Sequence, residues 1–439
     1  MTSSNNSIPK IIVVGGGAGG LELVTKLGRK LGRKGKADVT LVDNTRTHIW
    51  KPLLHEVAAG SLDSHQDEIE YLGQAKYNGF HFRLGKMDGL DRGNKTISMA
   101  ATLNAEGLEI IPSRTFDYDY LIIAVGSISH DFGIAGVAEH CLFLDTTRQA
   151  EHFQRQLLEA YVRAHTQERP IDDGQLDIAI VGAGATGVEL SAQLHEVSHL
   201  LSTYGLDEVK PTDVKISIIE AADRVLPGLP EKLSRATEIE LAKLDVDVLT
   251  DERVIEVTVD EIRTESGKVI PAAIKVWAAG IKAPPFLAEL GLTTNRINQI
   301  EVKQTLQSLT DDDIYAIGDC AACDWEGHEG NVPPRAQAAH QMASLVYKSI
   351  TRRITGKSIP DYHYHDHGSL VSLGKYSTVG NMMGSLSKGS LMIEGFLARM
   401  MYLSLYKMHQ VALFGFFRVG MLSLSHLFRR SVHPKIKLH

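Results

Sequence analysis

The stretch Ile11-Ile12-Val13-Val14-Gly15-Gly16-Gly17-Ala18-Gly19-Gly20 decides the fold. A short apolar run leads into a G-x-G-x-x-G loop at Gly15, Gly17 and Gly20, and residues 21–30 continue with a helical pattern. A second apolar strand at 37–42 closes on Asp43. The arrangement then returns, with Gly15 and Gly182 standing 167 positions apart. Residues 177–181 lead into Gly182-Ala183-Gly184-Ala185-Thr186-Gly187, a helical pattern starts at Val188, and a strand at 215–219 ends in Glu220. One such loop is a weak signal. Two copies, each after a β-branched run and each followed by a strand ending in an acid, predict an α/β protein with two Rossmann-type units.

The residue types fit one chemistry. In each loop the first glycine makes the tight turn, the second lets backbone approach a pyrophosphate, and the third lets helix and strand pack closely. The helix N-terminus adds N–H groups and positive dipole. Asp43 and Glu220 are placed to accept hydrogen bonds from adenosine ribose hydroxyls. Glu220 lies farther from its loop than the usual ~20 residues, and polar 202–213 reads as the inserted segment.

Three later segments suit the same architecture. Residues 120–126, ending in Ala124-Val125-Gly126, and 275–280, ending in Ala279-Gly280, are apolar strands closed by small-residue turns. Residues 313–319 form a strand ending in Gly318-Asp319, ahead of a helical pattern at 336–349. An aspartate at that position can bind a polyol chain.

Composition narrows the class. At ~150 residues per domain, 439 residues suggest two or three domains. Apolar residues make up 43% and charged residues 23%, an ordinary globular balance. The 46 basic and 53 acidic residues give a net charge of −7, which offers nothing to nucleic acid. Three cysteines, Cys141, Cys320 and Cys323, are too few for a disulfide framework and one short of an ordinary iron–sulfur ligand set. Redox chemistry in this chain therefore falls to an organic cofactor or another metal.

Together these residues resemble the two-dinucleotide-binding-domain flavoproteins. Within them, Trp50-Lys-Pro-Leu-Leu-His-Glu-Val57, Val276-Trp-Ala-Ala-Gly-Ile-Lys282 and Pro333-Pro-Arg-Ala-Gln-Ala-Ala-His-Gln341 resemble type II NADH:quinone oxidoreductase, most closely the enteric bacterial type. The resemblance runs from about residue 10 to the terminus. It implies a first unit that binds FAD through Gly15, Gly16, Gly17, Gly20, Asp43, Lys51, Ala124 and Gly126, with Gly318 and Asp319 on the ribityl and phosphate part. It implies a second unit, inserted into the first, that binds NADH through Gly182, Gly184, Gly187, Glu220, Ala279 and Gly280. The expected boundaries are 1–145 and 296–380 for the FAD domain, 146–295 for the NADH domain and 381–439 for a C-terminal membrane-anchoring region.

The resemblance also places 50–57 beside the isoalloxazine, Glu189 near nicotinamide and flavin, and Gln337 and Gln341 in a membrane-quinone pocket. A spacing of four puts both glutamines on one helix face. Glu220 would repel a 2′-phosphate, and Ala221 and Ala222 follow it, so NADH is expected to outcompete NADPH. Arg224 leaves some NADPH use open.

Residues 395–439 carry seven basic side chains (Arg399, Lys407, Arg418, Arg429, Arg430, Lys435, Lys437) and no acidic one, leaving 39 basic against 53 acidic residues elsewhere, a balance of −14. No stretch there reaches the ~18 apolar residues of a spanning helix. Two amphipathic helices are expected, one with Leu397, Met401, Leu405, Met408 and Ala412 on its apolar face. The other, after Gly415, shows Phe417, Met421, Leu424, Leu427 and Phe428. Such helices lie in the plane of an anionic membrane surface; a homodimer could present two of them to one membrane. Residues 1–10 show no export signal. The expectation is a monotopic, non-pumping enzyme on the cytoplasmic face of the bacterial inner membrane.

Two clusters are discounted. Cys320-Ala-Ala-Cys323 directly follows the Gly-Asp pair, away from where flavin disulfide reductases carry their redox pair, and reads as structural. His363, His365 and His367 alternate as on a solvated strand edge rather than a metal site. The competing readings are a soluble reductase with a protein or disulfide acceptor, a sulfide:quinone oxidoreductase, and a flavin-holding signalling or scaffold protein.

Overall fold

A computed structural model of the chain describes residues 8–104, 106–373, 377–382, 391–394 and 396–429. The chain forms two compact units. One comprises the chain up to Trp50 together with Glu68–Ile128 and Ile281–Asp366; the other comprises Lys51–Asp67, Ser129–Gly280 and the chain from His367 onward.

The first unit is built on a five-stranded parallel sheet. Its order is Ile314–Ala316, Tyr120–Ile123, Lys10–Val14, Asp38–Asp43 and His81–Leu84. Lys10–Val14 is buried at every position after Lys10, as a strand covered on both faces must be. Helix Ala18–Lys30 leaves the central strand through the glycine loop and packs on helix Ala336–Ile354. The latter runs beyond the expected residue 349, because Val346, Ser349 and Ile350 continue its buried stripe.

The second unit repeats the plan. Leu142–Phe143, Ile274–Trp277, Ile178–Val181, Ile216–Ile219 and Val246–Leu249 form a parallel sheet whose central strand again feeds a glycine loop and a helix, Ala185–Thr203. In both sheets the loop strand lies between its two partners, the topological switch at which open α/β sheets bind ligands. Residues 204–215, with a single 3₁₀ turn at Pro211–Asp213, account for the long spacing to Glu220.

An antiparallel meander of Gly368–Leu373, Ser377–Met382 and Leu391–Glu394 belongs to this second unit, and helix Phe396–Phe414 packs on it. A second helix, Phe416–Arg429, follows a break at Gly415, which takes a left-handed φ of +82°. Both tail segments are helical over these residues, and the side chains of Leu397, Met401 and Leu427, named for their expected apolar faces, lie outside the described residues. His409 and Gln410 are buried, while Met408, Met421, Leu424 and Phe428 are exposed, and Phe416 and Phe417 are each 84% exposed. Leu413 and Val419 turn inward and tie the helices down. Among the described residues no helix is long and apolar enough to cross a membrane. Arg430, Lys435 and Lys437 of the basic tail lie outside the described residues.

Candidate functional site

The two glycine turns have the same geometry. In the first, Gly15 has φ +102°, and a Cβ there would stand 2.4 Å from the Ala124 carbonyl oxygen. A Cβ on Gly20 would stand 1.9 Å from the Gly15 carbonyl oxygen. Gly17, by contrast, has open space where its Cβ would be. In the second turn Gly182 has φ +106° and sits 2.8 Å from Ala278 backbone by the same measure, Gly187 sits 2.0 Å from the Gly182 oxygen, and Gly184 is open. The first and third glycines are thus demanded by the fold itself. The middle one has room above it for a pyrophosphate, so each cradle fits a dinucleotide.

Each turn is braced by its acid. Asp43 Oδ2 accepts the Gly16 N–H at 2.6 Å, and Glu220 Oε2 accepts the Ala183 N–H at 2.7 Å. The second oxygens accept from Thr45 N–H at 2.8 Å and Ala222 N–H at 2.9 Å. The carbonyl between is capped too, by the Tyr71 hydroxyl on Gly16 at 2.9 Å and by the Leu226 N–H on Ala183 at 2.8 Å. A Cβ on Gly16 would strike that Tyr71 hydroxyl at 2.4 Å, so this position must also be glycine. Burial, and Asp43 beside it, push the Tyr71 phenol well above its ordinary pKa, so it donates. Arg224 donates to the Pro227 carbonyl at 3.1 Å.

Around the first cradle, Ala124 extends the pairing with an N–H to the Val14 carbonyl at 2.7 Å, and Gly126 has open space. Asp319 Oδ2 accepts the Ser127 hydroxyl at 2.8 Å, and its own carbonyl accepts the Gln299 amide at 2.8 Å. Ala339 packs against Gly19 and Gly318. That contact brings the start of helix Ala336–Ile354, carrying Gln337 and Gln341, beside Gly318 in the same unit. Gln337 Nε2 donates to Asp366 at 3.1 Å, while Gln341 both donates to the His365 carbonyl at 2.8 Å and accepts its N–H at 3.0 Å. Both glutamines thus meet the segment 361–366.

In the second unit Glu189 follows Gly187 on the helix and is buried. Its Oε1 accepts the Ser372 N–H at 3.0 Å, and Oε2 lies 3.5 Å from His55 Nδ1. Complete burial pushes the His55 imidazole down to about 4, so the ring is neutral and the contact is not an ion pair. Lys51 Nζ lies 3.5 Å from Asp145. Ala279 and Gly280 follow strand Ile274–Trp277, and the Phe132 ring, stacked on His130 at 4.2 Å, covers Gly280. Tyr71, Ser127, His55, Ser372 and Asp366 were not singled out by motif. The one signal available was that His55 falls inside the 50–57 segment.

The two discounted clusters are differently placed. Cys320 and Cys323 are buried, and desolvation pushes their thiols up to about 11 and 12. His363, His365 and His367 alternate outward, but along an extended segment with no strand pairing rather than a strand. Among the described residues no group of His, Cys, Asp and Glu could hold a metal.

The glycine geometry makes a paired prediction. Gly20→Ala should destabilise the protein by about 2–3 kcal/mol through backbone overlap, read as a lowered Tm. Gly17→Ala should leave Tm of the cofactor-free protein unchanged and weaken dinucleotide retention; equal Tm losses would contradict this division of roles.

Comparison with known proteins follows the same lines. Residues 9–343 match the family model of pyridine nucleotide-disulphide oxidoreductases. The chain is 41% identical to a type II NADH:quinone oxidoreductase of Haemophilus influenzae, over 98% of this chain and 99% of that one. It is 30% identical to a type II NADH:quinone oxidoreductase of Staphylococcus aureus, over 85% and 90% of the two chains. In fold it matches the solved structure of NDH2 from Plasmodium falciparum in complex with NADH, with TM-score 0.82, 20% identity and coverage of 98% and 100%. The sulfide:quinone oxidoreductase of Aquifex aeolicus matches less closely, with TM-score 0.73, 18% identity and coverage of 93% and 92%. Motifs, doubled turn and near-complete alignment agree: the chain belongs to the type II NADH:quinone oxidoreductase family.

Proposed function

We propose that this chain oxidises NADH and reduces a membrane quinone through FAD, without pumping protons, as a respiratory enzyme. The observation that carries the reading is the doubled, acid-braced glycine turn, each copy open only above its middle glycine. FAD supplies the chemistry when bound, taking a hydride from the nicotinamide and passing two electrons onward.

The protein's residues orient and exclude. Gly15, Gly16, Gly17, Gly20 and Asp43 hold the adenosine and pyrophosphate end of FAD, and Ala124, Gly126, Gly318 and Asp319 hold the rest. Gly182, Gly184, Gly187 and Glu220 hold NADH, and Ala279 and Gly280 flank its nicotinamide end. Glu220 repels a 2′-phosphate, and Arg224, already donating to Pro227, does little to offset this. Glu189, whose carboxylate accepts the Ser372 N–H, positions the nicotinamide ring. Gln337 and Gln341 offer amide hydrogens to the quinone carbonyls.

A sulfide:quinone oxidoreductase reading requires reactive cysteines beside the flavin. Burial of Cys320 and Cys323, with thiols held protonated, argues against it.

The exposed row of Phe416, Phe417, Met421, Leu424 and Phe428, beside Arg418, suits a helix lying in a membrane surface of anionic lipid. The enzyme then sits on the cytoplasmic face of the inner membrane, where its quinone is dissolved, and a homodimer would set two such helices on one bilayer.

Rapid mixing tests the central reading. The flavin band should bleach on NADH addition and recover on addition of a short-chain quinone; bleaching without recovery would contradict quinone reduction. For the anchor, the double variant Phe416→Ser, Phe417→Ser should weaken co-flotation with anionic vesicles at least about tenfold, with NADH-driven bleaching unchanged. Undiminished flotation would remove these residues from the membrane contact.

A further inference from the structure

In the first unit, helices Ala18–Lys30 and Ala336–Ile354 approach closely where Gly19 meets Ala339; a Cβ on Gly19 would stand 3.0 Å from the Ala339 carbonyl oxygen. One turn on from Gly19 and one residue on from Ala339, two titratable side chains meet. His340 turns its Nδ1 to Glu22 Oε2, an imidazole–carboxylate pair across the helix interface. The partners differ in access to solvent: the side chain of Glu22 is 9% exposed and that of His340 54%. Nδ1 is engaged by the carboxylate, so proton exchange with water runs through Nε2, at the opposite edge of the half-exposed ring.

His340 stands three residues after Gln337. That spacing puts Cβ atoms about 5–6 Å apart on a helix surface, so the imidazole neighbours the Gln337 side chain. Between Ala336 and Val346 no other side chain ionises. The charged groups that bear on the ring come from the facing helix: Glu22, and Lys26, whose ammonium lies over the Tyr347 ring, 4.7 Å from its centre. The hydrogen bond to Glu22 holds the imidazole above its ordinary pKa, against the opposing effects of burial and the Lys26 charge. The imidazolium therefore persists to higher pH than that of a free histidine.

Reduction of a quinone to a quinol adds two electrons and two protons. A hydride from NADH brings both electrons and one proton, so each turnover draws one further proton from water. We propose that His340 delivers that proton to a quinone oxygen, with Glu22 as the positioning residue that holds the imidazolium. The Nε2–H bond breaks and leaves its electron pair on the ring. An O–H bond forms on the quinone, which receives the electrons of NADH by way of the flavin, and the neutral ring regains a proton from water. This rests on the reading of Gln337 as a quinone-site residue. The glutamines position a quinone, but an amide has no proton to give near neutral pH.

The test follows quinone-driven reoxidation of the NADH-reduced, FAD-loaded full-length enzyme across a range of pH. Beside it, NMR of ring-labelled histidines titrates the same protein, with the His340 signal assigned by its absence from His340→Gln. Wild-type reoxidation should fall as pH rises through the His340 midpoint that NMR reads. H340Q should reoxidise about a hundredfold more slowly on the acid side of that midpoint, the low end of what a positioned general acid contributes, and should lose the fall with pH. Glu22→Gln should move the kinetic and spectroscopic midpoints down together by about one pH unit or more, as loss of an adjacent opposite charge does. His365→Asn, at an exposed ring on the neighbouring segment, should keep the wild-type profile. If E22Q does not retain flavin, H340Q decides the case alone. The proposal is overturned if H340Q keeps the wild-type rate and profile, if E22Q moves the spectroscopic midpoint without the kinetic one, or if H365N abolishes the pH dependence. Loss of flavin absorbance from H340Q would overturn it too, by making the residue structural. Normal reoxidation by Gln337→Leu with H340Q slow would instead remove Gln337 from the quinone site and uphold His340 as the donor.

Discussion

A single hydrogen bond, repeated, organises this molecule: the carboxylate at the end of the second strand accepts the N–H of the second residue in the glycine turn. Asp43 does this for Gly16 and Glu220 for Ala183, at nearly equal distances. An ionised acceptor on a backbone donor makes a short, strong bond. It fixes the turn at the head of its helix, where the unpaired N–H groups must face the ligand. The glycines then follow as a consequence. With the turn held this tightly, only hydrogen fits at Gly15, Gly20, Gly182 and Gly187.

The two copies differ in what caps the turn from above. The first uses a side chain, the buried Tyr71 hydroxyl on the Gly16 carbonyl; the second uses backbone, the Leu226 N–H on the Ala183 carbonyl. Leu226 adopts a left-handed φ of +49° in doing so. A buried phenol over the first turn suits a cofactor that stays, since the contact is packed into the core. The turn capped by a loop suits a substrate that leaves each cycle. In the proposed assignment, one architecture serves a resident flavin at the first turn and a visiting nucleotide at the second.

The parts legible in the sequence were those in which residue identity is forced by local geometry. The glycine spacings, the acids closing the second strands and the small-residue turns at 124–126 and 279–280 all fall in this group, as do the tail helices with their break at Gly415. What could not be read there comes from chain far away. Tyr71 reaches Gly16, His55 reaches Glu189, Ser127 reaches Asp319 and Asp366 reaches Gln337, each across a separation no periodicity encodes. The histidines at 363, 365 and 367 show the limit from the other side. Their period-two pattern was legible, but it reports an extended segment docked on a helix rather than a strand in a sheet. The tail shows it again, since an amphipathic pattern gives a helix two faces without saying which one turns to the body. Here buried His409 and Gln410 take the inner side and the phenylalanines the outer.

The assignment of one turn to FAD and the other to NADH is tested most directly by flavin content and NADH saturation in two purified variants, Asp43→Ala and Glu220→Ala. The account predicts that Asp43→Ala loses the flavin absorbance, whereas Glu220→Ala keeps it in full and needs a higher NADH concentration to bleach it. Flavin lost from Glu220→Ala and retained by Asp43→Ala would contradict the assignment.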